Sequence, residues 1–443
     1  MKKPINIQFS HVFFIGIGGT SMSGLAKMVI SAGGRVSGSD MTFSDELTKL
    51  SDMGAEIYIG HNAKNITENI SLVVYSGAIK EDNPEIVRAK EISIPIMERS
   101  EFLGLIAREY SHVIAISGTH GKTTTTAMLG HIFECAGYCP TIHLGGVSNN
   151  LGTNTLIGDK DYLIVEACEY RESFRFLNPE TLIITNIEAD HLDYYKDIED
   201  IRKAFVRLSC RSRTLISHDS LKILHPDHVI INEDYVISKC AFSSNAYRYY
   251  VEYKGEILGE FTLNTIGYFN VENSLLAIVT ALQYGIDINI IKKALSTFTG
   301  VERRYQKIKE IGSVPIIIDY AHHPTEISKS IAGIKDVYNN PLIIFQPHTY
   351  SRTLKLFDDF VTTLSIDNIV LYATYPAREE EIVGGRAIDL FDAIKVKNKV
   401  YCQNVDWLNK HIQNKISGSG CDSVLILGAG DLAIKLKKIL NEK

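Results

Sequence analysis

A glycine-rich segment that ends in Gly-Lys-Thr carries the clearest chemical signal in the sequence. It consists of Gly118, Thr119, His120, Gly121, Lys122, Thr123 and Thr124. Glycines let backbone N–H groups close around phosphate oxygens, and the start of a helix adds positive potential. Lys122 can then reach the outer phosphates, and Thr123 can bind Mg²⁺. The segment is two residues shorter than the pattern GxxxxGK[ST], but its place between an apolar run and a helical stretch favours a phosphate-binding loop over an ordinary glycine turn.

Polar side chains at the ends of two later apolar runs extend this candidate site. Glu166 directly follows one run, and Asp190, His191 and Asp193 follow the next. Parallel strands present their carboxyl ends at one edge of a sheet, where such sheets bind ligands. A lone histidine is more often a surface or capping residue, but acidic and imidazole groups beside a phosphate loop are what a two-metal phosphoryl-transfer site needs. Cys168 has no triad spacing around it and is interpreted as a packing thiol.

Another glycine cluster, near the start of the chain, mimics a dinucleotide-binding fingerprint. Gly16 and Gly18 follow an apolar run, and Asp40 comes some twenty residues later. Ser21 occupies the position of the third glycine, so the fingerprint is incomplete. An NAD-dependent dehydrogenase would also have no use for the later phosphate loop. The glycines at residues 428–431 have no room after them for a further βαβ unit and are interpreted as a strand-to-helix turn.

Apolar runs alternating with helical stretches predict an α/β protein of three units. The runs lie at residues 113–117, 162–165, 182–185, 315–318, 342–345, 369–372 and 424–427. The runs at 162–165 and 182–185 do not alternate with polar residues, which is typical of buried parallel strands. No low-complexity linker marks the joins, which we place near residues 107 and 308, giving domains 1–107, 108–308 and 309–443. The polar stretch 218–253 has no assignment.

Composition narrows the class of protein. The chain has 443 residues, 45% of them hydrophobic and 22% charged, with a formal net charge of -6. This charge does not favour a nucleic-acid partner. No apolar run approaches the roughly 20 residues of a membrane-spanning helix, and the first is too short for a signal peptide. Seven cysteines without paired CxxC motifs argue against a disulfide framework and a structural zinc site. These features favour a cytoplasmic protein without a membrane partner.

Several motifs, taken in chain order, resemble those of the Mur ligases over nearly the whole chain. They are Gly16-Ile17-Gly18-Gly19-Thr20-Ser21-Met22-Ser23, the GTHGKTTTT loop, Glu166-Ala167-Cys168-Glu169, TNIEADHLD at 185–193, Asn270 with Asn273, Arg303-Arg304-Tyr305, Asp319-Tyr320-Ala321-His322-His323-Pro324-Thr325-Glu326, and Gln346-Pro347-His348-Thr349-Tyr350-Ser351-Arg352-Thr353. The resemblance implies a Rossmann-like UDP-binding domain, a central P-loop ATPase-type α/β domain and a C-terminal Rossmann-like α/β domain.

The resemblance also implies a ligand for each motif. ATP would be bound by residues 118–124 together with Asn270, Asn273, Arg304 and Asp319. Mg²⁺ would be held by Thr123, Glu166 and His191. The UDP-sugar would be received by Gly16, Gly18, Gly19, Ser39, Asp40 and Ser76, which favours UDP over NAD at the first glycine cluster. The amino acid would be received by His323, His348 and Arg352, with Arg352 suited to grip a carboxylate. The catalytic set is then Lys122, Glu166, His191, His348 and Arg352.

The chemistry implied by the resemblance is formation of an amide through an acyl phosphate, with UDP-N-acetylmuramate and L-alanine as small-molecule substrates and a monomer or weak dimer as the working form. The stretch Lys203-Ala204-Phe205-Val206 lacks a lysine in register with the modified lysine of ligases for later steps, which favours addition of alanine. Phe269 and Thr349 depart from many relatives and put the adenine and amino-acid contacts in doubt. Attachment of a preformed peptide and a regulator that has lost catalysis remain alternatives.

Overall fold

The first sheet is built from five short strands, of which the two central ones, residues 11–15 and 72–75, are apolar and mostly buried. The computed structural model describes residues 9–192, 194–221, 223, 225–243, 245–377 and 379–441. Its first five strands are β1 His11–Ile15, β2 Arg35–Asp40, β3 Glu56–Ile59, β4 Leu72–Tyr75 and β5 Ile96–Glu98. They pair in parallel in the order β3-β2-β1-β4-β5. The helices between and after them are α1 Thr20–Ser31, α2 Asp45–Asp52, α3 Pro84–Glu91 and α4 Arg99–Ala107. The chain order reverses beside β1, which puts the first glycine cluster at a switch point where such sheets bind ligands.

A ten-stranded sheet follows, with parallel strands at its centre. Its strands are β6 His112–Ser117, β7 Thr141–Ser148, β8 Thr153–Leu156, β9 Tyr162–Glu166, β10 Thr181–Ile184, β11 Thr214–His218, β12 His228–Ile231, β13 Tyr235–Ser243, β14 Ala246–Tyr253 and β15 Glu256–Leu263. The accompanying helices are α5 Lys122–Cys135, α6 Ile198–Ser209, α7 Tyr268–Gln283 and α8 Ile288–Ser296. The strand order is β15-β14-β13-β12-β11-β10-β6-β9-β7-β8. The strands predicted at 113–117, 162–165 and 182–185 are therefore neighbours, and they pair in parallel.

The stretch without a sequence assignment contains strands of this same sheet. Strands β12 to β14 lie within it and β15 follows directly, in the order in which they occur along the chain. Lys254 and Gly255 join β14 to β15 with φ angles of 49° and 87°. Such a pair of left-handed residues forms the tight turn that suits two adjacent strands. Exposed and partly buried residues alternate along β13. A half-exposed strand of this kind has many polar residues, so it was not recognised as an apolar run.

The last sheet has six strands in the order β16-β17-β21-β18-β19-β20. They are β16 Gln306–Ile311, β17 Val314–Asp319, β18 Pro341–Phe345, β19 Ile369–Tyr372, β20 Lys399–Cys402 and β21 Ser423–Leu427. The helices are α9 Pro324–Lys335, α10 Tyr350–Lys355, α11 Phe357–Leu364, α12 Ala387–Ala393, α13 Val405–Ser417 and α14 Leu432–Asn441. Only the edge strand β16 pairs antiparallel, with a register shift between Lys307 and Lys309. The glycines at 428–431 lie between β21 and α14, as predicted for a strand-to-helix turn.

The predicted fold class is confirmed, with three α/β layers along the chain. Short 3-10 segments lie at Ala63–Asn65, Tyr170–Phe176 and Asp219–Leu221. By contacts, the chain divides into one compact unit of Met1–Cys240, Tyr249–Thr262 and Asn273–Phe298, and another of Ala241–Arg248, Leu263–Glu272 and Thr299–Lys443. Within the described ranges, no helix combines the length and the apolar character needed to cross a membrane.

A buried polar seam joins α1 of the first sheet to β7 and β8 of the second. His143 on β7 lies 2.9 Å from the Ser21 hydroxyl and 3.0 Å from the Thr155 hydroxyl. Arg99 donates to the same Ser21 hydroxyl at 3.1 Å. Gly24 makes the approach possible, because a Cβ there would lie 2.6 Å from the imidazole. Burial lowers the pKa of His143 to about 3, with help from the charge of Arg99, so this imidazole is neutral.

This neutral histidine predicts a loss of stability on acidification. Unfolded chains take up a proton at His143 below pH 6.5, whereas the folded chain does not until pH falls to about 3. Its contribution is therefore present above pH 6.5 and declines as the pH falls. From pH 7 to pH 5 the wild-type protein should lose roughly 2 kcal/mol more of its unfolding free energy than a His143→Gln variant. Urea unfolding of both proteins at the two pH values measures this. Equal losses would contradict it.

Candidate active site

The phosphate loop is formed because its two glycines take conformations and positions closed to other residues. Gly118 has a φ of 129°, and a Cβ there would collide with the Thr185 hydroxyl and lie 2.9 Å from the carbonyl oxygen of Asn186. Gly121 has a φ of 84° at the start of α5, and a Cβ there would collide with the side-chain amide of Asn273. Strand β6 can thus turn directly into α5. The first turn of α5 follows the loop directly, and the N-terminus of a helix is a favourable place for an anion.

The segment after β10 holds the loop in place. Asn186 carries most of the contacts, since its carbonyl accepts from the Thr119 backbone N–H at 3.0 Å and its side-chain oxygen accepts from the His120 N–H at 2.9 Å. The Thr185 hydroxyl donates to the His120 carbonyl at 2.5 Å. His120 also pairs with Glu188 at 3.2 Å. Two predicted strand ends therefore meet, as the parallel register requires.

Lys122 is curled back over its own loop and is almost completely buried. Its Nζ donates to the carbonyls of Gly118 at 2.5 Å and Thr119 at 3.0 Å. It also lies 3.0 Å and 2.9 Å from the two carboxylate oxygens of Glu169. Burial opposes the charge on Lys122, but Glu169 and its acidic neighbours outweigh burial, so the pKa of Lys122 is raised. Lys122 is therefore a cation held in place by the carbonyls of its own loop and by Glu169.

The predicted metal ligands lie at the ends of the adjoining elements. Glu166 is the last residue of β9, and its Oε2 accepts from the Gly145 N–H at 2.8 Å. His191 adopts a φ of 53°, and its Nε2 lies 3.7 Å from Glu169 and 3.8 Å from Asp190. Thr123 is in the first turn of α5. The other predicted acid of this segment, Asp193, lies outside the described residues.

These donors fit a magnesium ion that arrives with a ligand of its own. In the described part of the chain, no group of three or more His, Cys, Asp or Glu side chains is arranged to hold a metal. Magnesium is typically bound by one or two carboxylates together with phosphate oxygens and water, and not by an all-protein cage. The hydroxyl and the carboxylate beside the phosphate loop match that pattern, and the imidazole is the one donor of the three that magnesium does not usually prefer. The arrangement favours metal bound together with nucleotide.

The first glycine cluster is hydrogen-bonded to the end of the neighbouring strand β2. The N–H groups of Gly16 and Ile17 donate to the Ser39 carbonyl at 2.8 and 3.0 Å, and Gly18 N–H donates to the Asp40 carboxylate at 3.0 Å. Gly19 stands before the first residue of α1. The loop thus presents a helix start beside the ends of β1 and β2, which suits an anionic group.

Two residues that sequence reasoning missed, one of them fully buried, support the predicted Ser39. Glu85 is fully buried and accepts from the Ser39 hydroxyl at 2.6 Å, while His61 lies 3.0 Å from the same carboxylate. Ser76, the other predicted residue, follows β4, and its hydroxyl accepts from the Ala78 N–H at 3.3 Å. Neither missed residue belongs to a motif, and they meet only because α3 packs beside the end of β2.

In the second compact unit, Asp319 is the last residue of β17, and backbone N–H groups donate to its carboxylate. Its carboxylate accepts from the N–H of Tyr305 at 2.9 Å and of Ala321 at 2.7 Å. Burial raises the pKa of Asp319 to about 6, against the opposing charge of Arg304. Arg304 lies 3.8 Å from Glu326. The predicted pair Arg304 and Asp319 is thus close to one strand end.

Tyr320, next to Asp319, is in contact with two cations. The guanidinium groups of Arg303 and Arg304 lie 4.8 and 5.0 Å from its ring centroid. Arg303 also donates to the carbonyls of Gly428 at 3.0 Å and Gly430 at 2.9 Å. Sequence reasoning did not single out Arg303, although it stands beside Arg304 in the same motif. Its bonds to the glycine turn connect the end of β21 to the end of β17.

The predicted amino-acid residues cluster beyond β18. His348 stacks on Tyr375 with ring centroids 5.5 Å apart and lies 6.1 Å from His322. Burial and the charge of Arg352, in α10, lower the pKa of His348. His322 was not predicted, and burial lowers its pKa to about 4 despite Glu326.

Two further predicted residues have structural contacts. His323 precedes α9, and its ring nitrogen accepts from the Thr325 N–H at 3.4 Å in a capping arrangement with Glu326. Asn270, in the first turn of α7, donates to the Ile266 carbonyl at 2.8 Å. Asn273 packs against Gly121 of the phosphate loop. Of the predicted adenine contacts, Asn273 is therefore beside the loop, and Asn270 helps to hold the turn before its helix.

The chain matches family models over most of its length. Residues 11–111 match the model described as "Mur ligase family, catalytic domain", residues 116–281 the "Mur ligase middle domain", and residues 303–430 the "Mur ligase, glutamate ligase domain". The chain belongs to the Mur ligase family. This confirms the resemblance drawn from the motifs, and it places the phosphate loop of this Mur ligase in the middle domain.

Similar proteins of known name span the same length. A UDP-N-acetylmuramate--L-alanine ligase of Lachnospira eligens is 41% identical, with 95% of this chain and 96% of the relative covered. One of Clostridium novyi is 40% identical, with 95% of each covered. Among solved structures, UDP-N-acetylmuramate-alanine ligase from Thermotoga maritima has a TM-score of 0.84 at 29% identity, covering 98% of both chains. A murein peptide ligase from Psychrobacter arcticus has a TM-score of 0.71 at 24% identity, covering 98% and 99%, which shows a shared fold.

The geometry of Gly118 predicts a selective loss of nucleotide binding in this Mur ligase. In a Gly118→Ala variant the new Cβ would push the loop off Thr185 and Asn186, so binding of ATP should weaken at least tenfold. Gly137→Ala is the matched control, because Gly137 also has a positive φ of 79° but has open space around it. The control should lose only about 1 kcal/mol of stability from backbone strain. Binding isotherms with ATP, together with urea unfolding, test both variants. Similar affinities would argue against the loop assignment.

Proposed function

We propose that this chain is an ATP-dependent ligase that joins L-alanine to the lactyl carboxylate of UDP-N-acetylmuramate in peptidoglycan precursor synthesis. The observation that carries the proposal is the end-to-end likeness, at about 40% identity, to ligases of that name. The buried, charged Lys122 in its glycine loop supplies the chemistry such a ligase needs. ADP and phosphate are the expected by-products, and ATP and Mg²⁺ the expected nucleotide and metal.

In the first step the lactyl carboxylate attacks the γ phosphate of ATP, and an acyl phosphate forms as ADP leaves. The loop N–H groups and Lys122 stabilise the charge on the phosphate oxygens. Thr123, Glu166 and His191 would hold Mg²⁺, which supplies further charge neutralisation when bound. Thr119, His120 and Thr124 belong to the same loop. Asn270, Asn273, Arg304 and Asp319 are proposed to complete the nucleotide site.

In the second step the amine of L-alanine attacks the activated carbonyl, and phosphate leaves. Arg352 is suited to bind the alanine carboxylate as a bidentate partner. His348 is the proposed acceptor of the amine proton, since its lowered pKa keeps the imidazole neutral near pH 7. His323 is proposed to support the same region through the start of α9. Water must be excluded, because an acyl phosphate exposed to solvent hydrolyses.

The UDP part of the substrate is assigned to the first sheet. Gly16, Gly18 and Gly19 lie just before α1, whose N-terminus suits a diphosphate, with Ser39, Asp40 and Ser76 around them. We propose domains of 1–107 for the UDP-sugar, 108–308 for ATP and 309–443 for the amino acid. A cytoplasmic location, a monomer or weak dimer, and the lack of nucleic-acid or membrane partners complete the proposal.

Attachment of a preformed peptide to the same UDP-sugar is the second candidate. It is supported by the fold shared with the murein peptide ligase at a TM-score of 0.71, but identity to that protein is 24%, against 41% to an alanine ligase. A non-catalytic nucleotide-binding regulator is less favoured, because Lys122, Thr123, Glu166 and His191 are all present.

One assay separates these possibilities. Purified protein is supplied with ATP, Mg²⁺ and UDP-N-acetylmuramate, and ADP release is followed with L-alanine, glycine, L-serine or a tripeptide as acceptor. We expect release that depends on both co-substrates and is fastest with L-alanine. Faster ADP release with the tripeptide would support the peptide ligase instead. ADP release that depends on neither co-substrate would support the non-catalytic regulator.

The role of Lys122 predicts the effect of its removal. A Lys122→Ala variant should lose roughly a hundred- to a thousandfold in the rate of ADP release, because the γ phosphate loses its fixed cation. Lys307→Ala is the control, since Lys307 is an exposed lysine paired with Glu310 on the edge strand β16. Its rate should match that of the wild-type protein. A Lys122→Ala variant of wild-type rate would refute the assignment of the loop.

A further inference from the structure

Glu169 is the most buried acid around the phosphate loop. It is 3% exposed, and its carboxylate lies 3.0 and 2.9 Å from the Lys122 Nζ and 3.7 Å from the His191 Nε2. It therefore contacts both the cation of the loop and a proposed metal ligand. None of the proposed steps assigns it a role.

The local chain conformation does not require this side chain. The backbone carbonyl of Glu169, not its carboxylate, accepts from the Tyr195 hydroxyl at 2.5 Å and from the Glu172 N–H at 2.9 Å. Arg171 and Glu172, in the 3-10 segment that follows, have φ angles of 51° and 50°. A carboxylate is costly to bury, and here Lys122 compensates it. The Glu169 carboxylate is therefore best explained by its ion pair with Lys122, and not by a need of the local fold.

A triphosphate that enters the loop must compete with Glu169 for Lys122. Both are anions, and both need the same Nζ. Glu166 and Asp190 lie at the same strand ends, so a nucleotide without a cation enters a region that is already negative. A divalent cation that arrives with the nucleotide offsets this repulsion and gives the released carboxylate a new counter-charge.

We propose that Glu169 makes capture of ATP conditional on a divalent cation, by holding Lys122 until the nucleotide arrives with its metal. The proposal rests on the proposed function of the loop and deepens it. Free ATP, which would bind without being able to react, is kept out. Glu169 is a positioning residue in this scheme, since it acts on the nucleotide through Lys122.

Binding of ATP with and without metal tests the proposal independently of turnover. The dissociation constant is measured by calorimetry in excess EDTA and in excess Mg²⁺, and the ratio of the two values is the readout. In Glu169→Gln the competing charge is gone, so binding in EDTA should tighten and the ratio should fall about tenfold. Glu169→Ala should give the same direction of change.

Glu188→Gln is the matched control. Glu188 has the same charge at the same sheet edge but pairs with His120 at 3.2 Å. If net charge alone set the metal requirement, both glutamine variants would lower the ratio equally, and the proposal would be wrong. It predicts a ratio in Glu188→Gln within about threefold of the wild-type value.

The remaining outcomes are also decisive. An unchanged ratio in a folded Glu169 variant overturns the proposal, and so does unfolding of both Glu169 variants, because the side chain would then serve the fold. Failure of the wild-type protein to bind ATP even with Mg²⁺ would instead sink the proposed function. Wild-type binding with an unchanged ratio in the variants would sink only the role of Glu169.

Discussion

The ion pair between Lys122 and Glu169 is the interaction on which the rest of the site depends. Strand pairing sets it in place, since Ile116 of β6 lies opposite Glu166 of β9 in the parallel register. The strand ends therefore carry the loop and the acidic segment to the same edge. Because each ion would be costly to bury alone, the lysine and the glutamate each lower the cost of burying the other. The sheet edge thereby holds the Lys122 cation where, under the proposed function, a phosphate would replace Glu169 as its partner.

The elements that carry this pair could be predicted from the sequence, because their signals are local. Runs such as residues 162–165 are apolar throughout, and the glycines of the loop mark where a strand turns into a helix. The same reasoning predicted Glu166 and His191 as site residues from their places after strands. It did not find Glu169, only three residues after Glu166, because nothing local shows that its carboxylate turns toward Lys122. That contact depends on the 3-10 segment and its two left-handed residues.

Contacts between distant parts of the chain were beyond sequence reasoning for the same cause. Sequence analysis did not single out His143, and it noted the partner Ser21 only as the residue at the position of a third fingerprint glycine. The two meet across 122 residues because Gly24 leaves room for the ring. The strands in the polar stretch 218–253 could not be predicted for a different reason. They are half exposed, so a search for apolar runs passes over them. Family resemblance supplied the ligands, which neither composition nor periodicity could have named.

The edge strand β16 has a consequence for how the protein behaves at high concentration. An open edge of backbone donors and acceptors invites pairing with another chain. Here Lys307, Lys309 and Glu310 line the outermost strand, and the register shift between the two lysines interrupts its regular pleat. A second molecule that tried to extend the sheet would have to bring its own strand against these charges and across the bulge. The six residues of β16 thus form the outermost strand of the sheet and also oppose the addition of strands from other molecules.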